Sequence, residues 1–487
     1  MKKASATQNY IYNTLYKVLS LLTPLITAPY LARVIDPEGV GTFSYTYAIA
    51  YNFSLVAKLG LISYGSRSIA KARDDKERLA RVFSEIYMLQ ILTTAITTIA
   101  YLIFVTCYVT DYKNIFYINI LYVIGIAIDI DWLFYGLENF KMTAIRNAII
   151  KALTVVAIIL FVKTRQDLVK YVFIMGAGEF LKYASIWISF KSCTKFISIR
   201  IKNVLLHLKP TIILFIPVIA TSVYRSMDKV MLGAMTSMAE TGIYENSEKI
   251  VYMLLGFVTS LEVVMMPKIS NLLENGKEEE AYENISKSMT FVVALTSAMA
   301  FGIIGIMKNF VPWFYGDEFL GCIKLLPILS LSLCFIGWAN VIRTQYIVPR
   351  GEDHIYVIST IIGAILNLIL NLICIPRMGA LGATIGTFVA ELSVAVYLSV
   401  IVRKELPILQ FLKKTLYFPV LGVLMAFIVY VIGIATPGGL TSIFIQIMVG
   451  CILYTGFCLI YLKIVQKDMY RIIILKIQML FKRKTRG

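Results

Sequence analysis

Polar and charged side chains recur at helical spacing inside stretches otherwise apolar enough for a lipid bilayer, and any chemistry of this chain must lie with them. Asn13, Lys17, Ser20, Pro24 and Thr27 follow one another at intervals of four and three, which puts them on one face of a first helix. Ser44, Tyr47, Tyr51, Ser54 and Lys58 form a second such stripe. A lysine within a bilayer span costs about 2.5 to 3.5 kcal/mol on insertion scales, so Lys17 is expected to face a polar interior or a water-filled cavity. Lys58, near the end of its span, has two readings: the same passage, or a side chain that snorkels to the interface. Pro24 and Pro29 each remove a backbone hydrogen bond and predict a bend in the first helix.

Farther along, Tyr224 with Asp228 and Arg225 with Lys229 stand at i,i+4, and Glu245, Glu248 and Lys249 follow on the next helix. These charges either neutralise one another in a packed ion network or bind and couple an ion, and the pattern leaves both open. Asp129 and Asp131 precede Trp132 near the cytoplasmic end of a span, where solvent is expected to reach them. Glu179 and Lys182 pair by spacing near mid-membrane, whereas the local sequence around the deep Glu391 offers no cation. Asp228, Glu248, Glu391 and Glu179 are therefore the ion-coupling candidates. Arg343 closes a span, Asn367 and Asn371 share a helix face, and Gly382-Ala383-Thr384-Ile385-Gly386 suits close helix packing. No Walker A loop, HExxH, GxSxG or DxD signature is visible, so the chain reads as a transporter driven by a gradient or potential, not as an enzyme.

Positioning such residues takes long apolar helices. Of 487 residues 58% are hydrophobic and 16% charged, and the mean hydropathy is +0.76, which excludes a water-soluble domain of this size. Apolar stretches of about 20 residues predict helices and not the short alternating strands of a barrel. Fourteen spans are expected, at roughly 10–33, 41–63, 83–107, 115–136, 143–163, 168–190, 209–234, 241–265, 288–308, 322–345, 354–375, 379–402, 413–434 and 441–464. Lysine and arginine concentrate after spans two and six and in the C-terminal tail, so both termini are expected to be cytoplasmic and the location to be the cell membrane. Lys163, Arg165 and Lys170 fall outside and argue the other way. The net charge of +18 follows from this asymmetry, with anionic membrane lipid as the partner and no nucleic acid. Seven cysteines without a CxxC and two histidines imply neither a metal site nor a cofactor.

A surface helix is expected over Ser66–Ser84 and an interfacial linker over Phe196–Leu208. Val40-Gly41-Thr42-Phe43 at the start of span two recurs as Thr241-Gly242-Ile243-Tyr244 at the start of span eight, and spans one and seven both carry proline. The expected fold is an all-α polytopic membrane protein with two pseudo-symmetric six-helix bundles and two C-terminal helices. Its divisions would be an N-terminal lobe over 1–195, the linker over 196–208, a second lobe over 209–405, and two further helices with a basic tail over 406–487.

Four groups of residues then carry a family likeness: Ala28-Pro29-Tyr30-Leu31-Ala32-Arg33-Val34 with Gly39-Val40-Gly41; Asp228-Lys229-Val230-Met231-Leu232-Gly233; Gly242-Ile243-Tyr244; and Asn367-Leu368-Ile369-Leu370-Asn371 running into Ile375-Pro376 and Gly379-Ala380-Leu381-Gly382-Ala383. With them the chain resembles the polysaccharide-unit flippases of the multidrug/oligosaccharidyl-lipid/polysaccharide exporter superfamily, over roughly its first 400 residues. The resemblance implies a V-shaped pair of lobes around a cavity that opens alternately to the two membrane faces. The implied cargo is an undecaprenyl-pyrophosphate-linked oligosaccharide, a precursor of capsule or another surface polysaccharide, passed to the outer leaflet and onward to a polysaccharide polymerase. Lys17, Lys58, Arg225 and Arg343 would then meet the diphosphate, and Asn13, Tyr47, Tyr51 and Tyr224 the sugars. A teichoic-acid-chain flippase would differ only in cargo. A cation-coupled multidrug antiporter would suit a cavity of carboxylates, against which uncompensated cations in spans one and two argue. A membrane glycosyl polymerase or acyltransferase would need a large outer loop or an embedded catalytic histidine, and neither is visible.

Overall fold

A computed structural model describes residues 6–465 and 471, with side chains described from residue 20 onward apart from 21, 22, 217, 220, 223 and 263. Its elements are helices, and no strand occurs among the described residues. In lipid, backbone groups have no water to bond, so each apolar segment satisfies its own N–H and C=O groups by coiling. The first run, α1 (Ala6–Lys58), is two helices meeting at Asp36, whose φ of 54° breaks the helical series. The Asp36 carboxylate accepts from Gly39 N at 2.9 Å, and Pro37 sits where a missing N–H costs nothing. Expected spans one and two are these two halves, and the dihedrals stay helical through Pro24 and Pro29.

The surface helix expected over Ser66–Ser84 is instead two helices, α2 (Leu61–Ala72) and α3 (Lys76–Cys107). The Asp75 carboxylate accepts from Glu77 N at 2.9 Å and Arg78 N at 3.1 Å, so it starts a new helix where continuous periodicity suggested one. The ion pair formed beside this break is Arg73 with Glu138, at 2.8 Å. The fourth span is also divided. Its halves α4 (Lys113–Gly125) and α5 (Asp131–Gly136) are separated by a tight turn over Ile126–Ile128 and by the extended Asp129. Then come α6 (Phe140–Phe161), α7 (Leu168–Ser185) and the short α8 (Phe190–Cys193) and α9 (Ile201–Leu206).

The linker before the seventh span is fastened down. Phe196 stacks among Phe83, Tyr87, Trp187 and Phe190, Asn203 donates to Glu85 at 3.0 Å, and His207 lies between Tyr64 (2.6 Å) and Glu85 (3.1 Å). The basic loop between α6 and α7 is compensated: Lys170 pairs with Asp167 at 2.6 Å and Arg165 with Asp36 at 3.1 Å.

The remaining helices are α10 (Leu208–Met235), α11 (Met238–Glu274), α12 (Glu278–Phe314), α13 (Cys322–Ile342), α14 (Asp353–Met378), α15 (Ala380–Val402), α16 (Ile408–Thr415), α17 (Tyr417–Ala435) and α18 (Gly439–Val465). Each of the expected spans falls on a helix, and among the described residues ten helices are long and apolar enough to cross a membrane. Spans one, two, six and seven lie outside those ten; Lys58, Glu179, Lys182, Arg225, Asp228 and Lys229 belong to three of them.

The described chain forms two compact units. One runs up to Glu245 and includes Asn371–Ala380; the other holds Asn246–Leu370 and the chain from Leu381 onward. Within the first unit the two glycine repeats pack on one another. A side chain at Gly41 would strike the backbone of Met238, and one at Gly242 the carbonyl of Pro37, so only glycine permits the crossing. Within the second unit α12 carries α17 and α18. Asn309 Nδ2 donates to Gly433 O (3.1 Å) and Gln446 Oε1 (3.1 Å), Gln446 Nε2 to Val429 O (2.9 Å), and Tyr454 to Ala294 O (2.9 Å). Polar groups bonded between helices hold this packing where the hydrophobic effect is absent.

Candidate functional site

The break in the fourth span builds the centre of the first unit. Interrupting the helix frees carbonyls, and Gln90 of α3 collects them: its amide donates to Ile126 O and, at 2.7 Å, to Asp129 O, while its oxygen accepts from Trp132 Nε1 at 2.8 Å. The extended residue turns the Asp129 carboxylate inward, where Oδ1 accepts from Asp131 N at 3.0 Å and Oδ2 lies 2.5 Å from Lys58 Nζ. The Lys58 side chain is 17% exposed and that of Asp129 is 0%. Asp131 is held by Arg146 of α6, whose Nη2 donates to both carboxylate oxygens at 2.9 and 3.2 Å. Arg146 Nη1 is buried with no acceptor among the described residues.

The charge network extends along α6 and α7. Lys182 pairs with Glu179, and its ammonium sits 4.5 Å from the centre of the Tyr183 ring, which Lys58 also approaches at 5.5 Å. Lys151, half-buried on α6, feels the charges of Glu179 and Lys182 but has no carboxylate within ion-pair distance among the described residues. Four cations thus face three carboxylates, Asp129, Asp131 and Glu179. Tyr47 and Tyr51 are ring neighbours at 5.7 Å, and Tyr47 also meets Tyr122 at 4.9 Å.

A second polar cluster in the same unit joins α1, α10 and the start of α11. Lys229 pairs with Glu245 at 2.6 Å, and Ser44 donates to the same carboxylate at 2.9 Å. The buried Asp228 accepts from Tyr244 Oη at 2.6 Å and from Asn371 Nδ2 at 2.5 Å. Asn52 exchanges hydrogen bonds with Ser226 (2.9 Å) and Ser222 (3.1 Å). Tyr224 is half-buried on α10 and Arg225 is exposed. Of the remaining candidates, Glu248, Arg343 and Glu391 belong to the second unit. Glu248 is buried and Glu391 half-buried; Arg343 lies 3.4 Å from Glu262, donates to Tyr356 Oη at 3.2 Å, and begins a π-helical turn over Arg343–Ile347. Asn13 and Lys17 lie outside the described side chains.

Two expectations need correction. Asp129 and Asp131 are buried, not reached by solvent, because the helix break directs them into the bundle. Lys58 is neither uncompensated nor snorkelling, because Asp129 neutralises it. Sequence reasoning also passed over Arg146, Lys151 and Gln90. Arg146 and Lys151 had a signal, since they are basic residues inside the apolar span 143–163. Gln90 had none, because its role exists only beside the broken helix.

The chain matches the family model for polysaccharide biosynthesis proteins over residues 6–273 and that for the lipid II flippase MurJ over residues 188–450. It is 24% identical over 384 residues to a putative O-antigen transporter of Shigella dysenteriae, covering 77% of this chain and 95% of that protein. It is 23% identical over 408 residues to a putative O-antigen transporter of Escherichia coli (strain K12), covering 83% and 98%. Among solved structures it is similar to the lipid II flippase MurJ in an inward closed conformation, with a TM-score of 0.74 at 19% identity over 94% of this chain and 99% of that one. A multidrug resistance MATE family transporter in an inward-facing conformation has a TM-score of 0.61 at 13% identity over 82% and 96%. These structural likenesses speak to the fold, while the polysaccharide biosynthesis model spans more than half of the sequence. The chain therefore belongs to the polysaccharide biosynthesis protein family, the polysaccharide-unit flippases of the multidrug/oligosaccharidyl-lipid/polysaccharide exporter superfamily, and is a multi-pass membrane transporter and not an enzyme.

Proposed function

We propose that the protein moves an undecaprenyl-pyrophosphate-linked oligosaccharide, a precursor of capsule or another surface polysaccharide, from the inner to the outer leaflet of the cell membrane. Two lobes open alternately to either side, both termini lie in the cytoplasm, and an ion gradient or the membrane potential drives the cycle. The observation that carries this reading is the excess of cation in the first unit: Lys151 lies within a span with no carboxylate in pairing distance, and Arg146 keeps a buried N–H without an acceptor among the described residues. A diphosphate would satisfy both and repay their desolvation, whereas a cationic drug would be repelled. Lys58 contributes by exchanging Asp129 for phosphate, Lys17 and Arg225 are further cations of the first unit for the diphosphate, and Arg343 is the candidate of the second unit. Tyr47, Tyr51 and Tyr224 meet the sugars, with Asn13 as a further donor. Asp228, held by Tyr244 and Asn371, is the preferred coupling carboxylate, ahead of Glu248, Glu391 and the already paired Glu179.

The test is transfer of a labelled lipid-linked oligosaccharide across proteoliposomes, with and without an imposed ion gradient. Lys151→Ala is expected to slow transfer at least roughly ten-fold, the loss of about 1.4 kcal/mol of charge-assisted bonding, while Lys151→Arg retains most of it. Equal rates for wild type and Lys151→Ala would remove the anion-site reading. Export of a cationic dye in place of the oligosaccharide would replace the flippase by the antiporter.

A further inference from the structure

We propose that α16 (Ile408–Thr415) is a binding site for the anionic phospholipid headgroups of the leaflet on which it lies. The helix follows α15, itself long and apolar enough to cross the membrane, and opens the next candidate span, Ile408–Ala435, whose 28 residues exceed the roughly 20 a crossing needs; α17 alone supplies 19 of them, so α16 lies at the end of that span, at a membrane surface. At 3.6 residues per turn its side chains form three faces centred roughly 100 to 140° apart. Ile408, Phe411 and Thr415 are buried against the second unit. Leu409, Leu412 and Leu416 form a separate apolar face, 74%, 45% and 64% exposed. Gln410, Lys413 and Lys414 form the third.

This is the arrangement an interfacial helix needs: one face for the protein, one for acyl chains, and a basic one at headgroup level. The helix cannot swing free to bury its leucines elsewhere. Tyr461 of α18 donates to Lys414 O at 3.0 Å, and its ring stacks on Tyr417 at 4.8 Å. Charge complementarity selects the lipid. Between residues 403 and 416 the chain carries Arg403, Lys404, Lys413 and Lys414 against Glu405 alone, and the Glu405 carboxylate is already engaged by the Tyr346 hydroxyl. Arg403, Lys404 and Lys413 are exposed and form no ion pair among the described residues. Each cation held near an anionic surface favours it roughly five-fold.

The test places a photo-crosslinking phenylalanine analogue at Leu409 or, separately, Leu412 of the full-length protein. It is reconstituted in vesicles of phosphatidylethanolamine with a minority of phosphatidylglycerol. The same analogue at Phe427, exposed on α17, reads the bulk lipid. The phosphatidylglycerol share of the adducts at 409 and 412 is expected to exceed that at 427 by roughly two- to five-fold. The combined variant Arg403→Gln, Lys404→Gln, Lys413→Gln is expected to bring it down to the share at 427 while leaving the yield at 427 unchanged, which also reports an intact fold. Absence of lipid adducts at both 409 and 412 would overturn the interfacial placement. Equal shares at all positions, or enrichment that survives the combined variant, would overturn the anionic site.

Discussion

Breaking the Lys58–Asp129 pair is the most informative perturbation, because the two charges sit close together with little water around them. At 2.5 Å and an effective dielectric constant near 20 their gross attraction is about 6 to 7 kcal/mol. Desolvation offsets much of that, so the pair adds little net stability over an apolar pair of the same volume. Removing one partner is different. Lys58→Met would leave the Asp129 carboxylate buried beside Asp131 and is expected to destabilise by about 3–5 kcal/mol. In the double variant Lys58→Met, Asp129→Leu the orphaned charge is gone. What remains lost is the Asp131 N to Asp129 bond, so the double variant should lie within about 1–2 kcal/mol of wild type. The assay is unfolding in mixed micelles by increasing dodecyl sulfate, run on wild type, both single variants and the double. A Lys58→Met variant within about 1 kcal/mol of wild type, or a double variant no better than the single, would refute the reasoning. Flipping measured on the refolded double variant then separates two roles. Restored transfer makes Lys58 structural, and lost transfer in a recovered fold makes it a contact of the cargo.

The glycine crossing predicts that Gly242→Val, which drives a side chain into the Pro37 carbonyl, costs about 1–3 kcal/mol in the same titration. Gly456→Ala, where a Cβ meets nothing within 4 Å, should stabilise by up to about 1 kcal/mol; equal effects would show that the crossing is not tight. The loop before α7 predicts a pH dependence. The Lys170 ammonium, then the N–H groups of Lys163 and Thr164, hold the Asp167 carboxyl well below the usual carboxylate range. A depressed folded pKa gives stability that is complete above the unfolded value of about 3.9 and is lost as pH falls through the folded one. Hydrogen exchange at the amides of Lys163 and Thr164 should therefore keep its protection from neutrality down to about pH 4 and lose it only in stronger acid. Asp167→Asn should lose that protection already at pH 7, and an unchanged exchange rate would count against the cap.

The all-helical membrane class and the placement of ten of the fourteen expected spans were legible from the sequence because they depend on segment length and apolarity alone, which bilayer thickness translates directly into helices. The glycine repeat was legible for a similar reason: a shared motif survives in the letters, and its two copies meet where a Cβ would not fit. The partner of each charge was not legible. Spacing along one helix found Glu179 with Lys182, but the partner of Lys58 comes from the break in the fourth span, about seventy residues away. The broken fourth span has Gly125 where α4 ends but nothing at Asp129 to announce its extended backbone, and its carbonyls are satisfied by Gln90 from α3. The sequence by itself determined that this chain must bury charge in a membrane. Only the tertiary structure decided which charges cancel and which, like Lys151, have no paired carboxylate among the described residues, because neutralisation acts across a few ångströms of space and not along the chain.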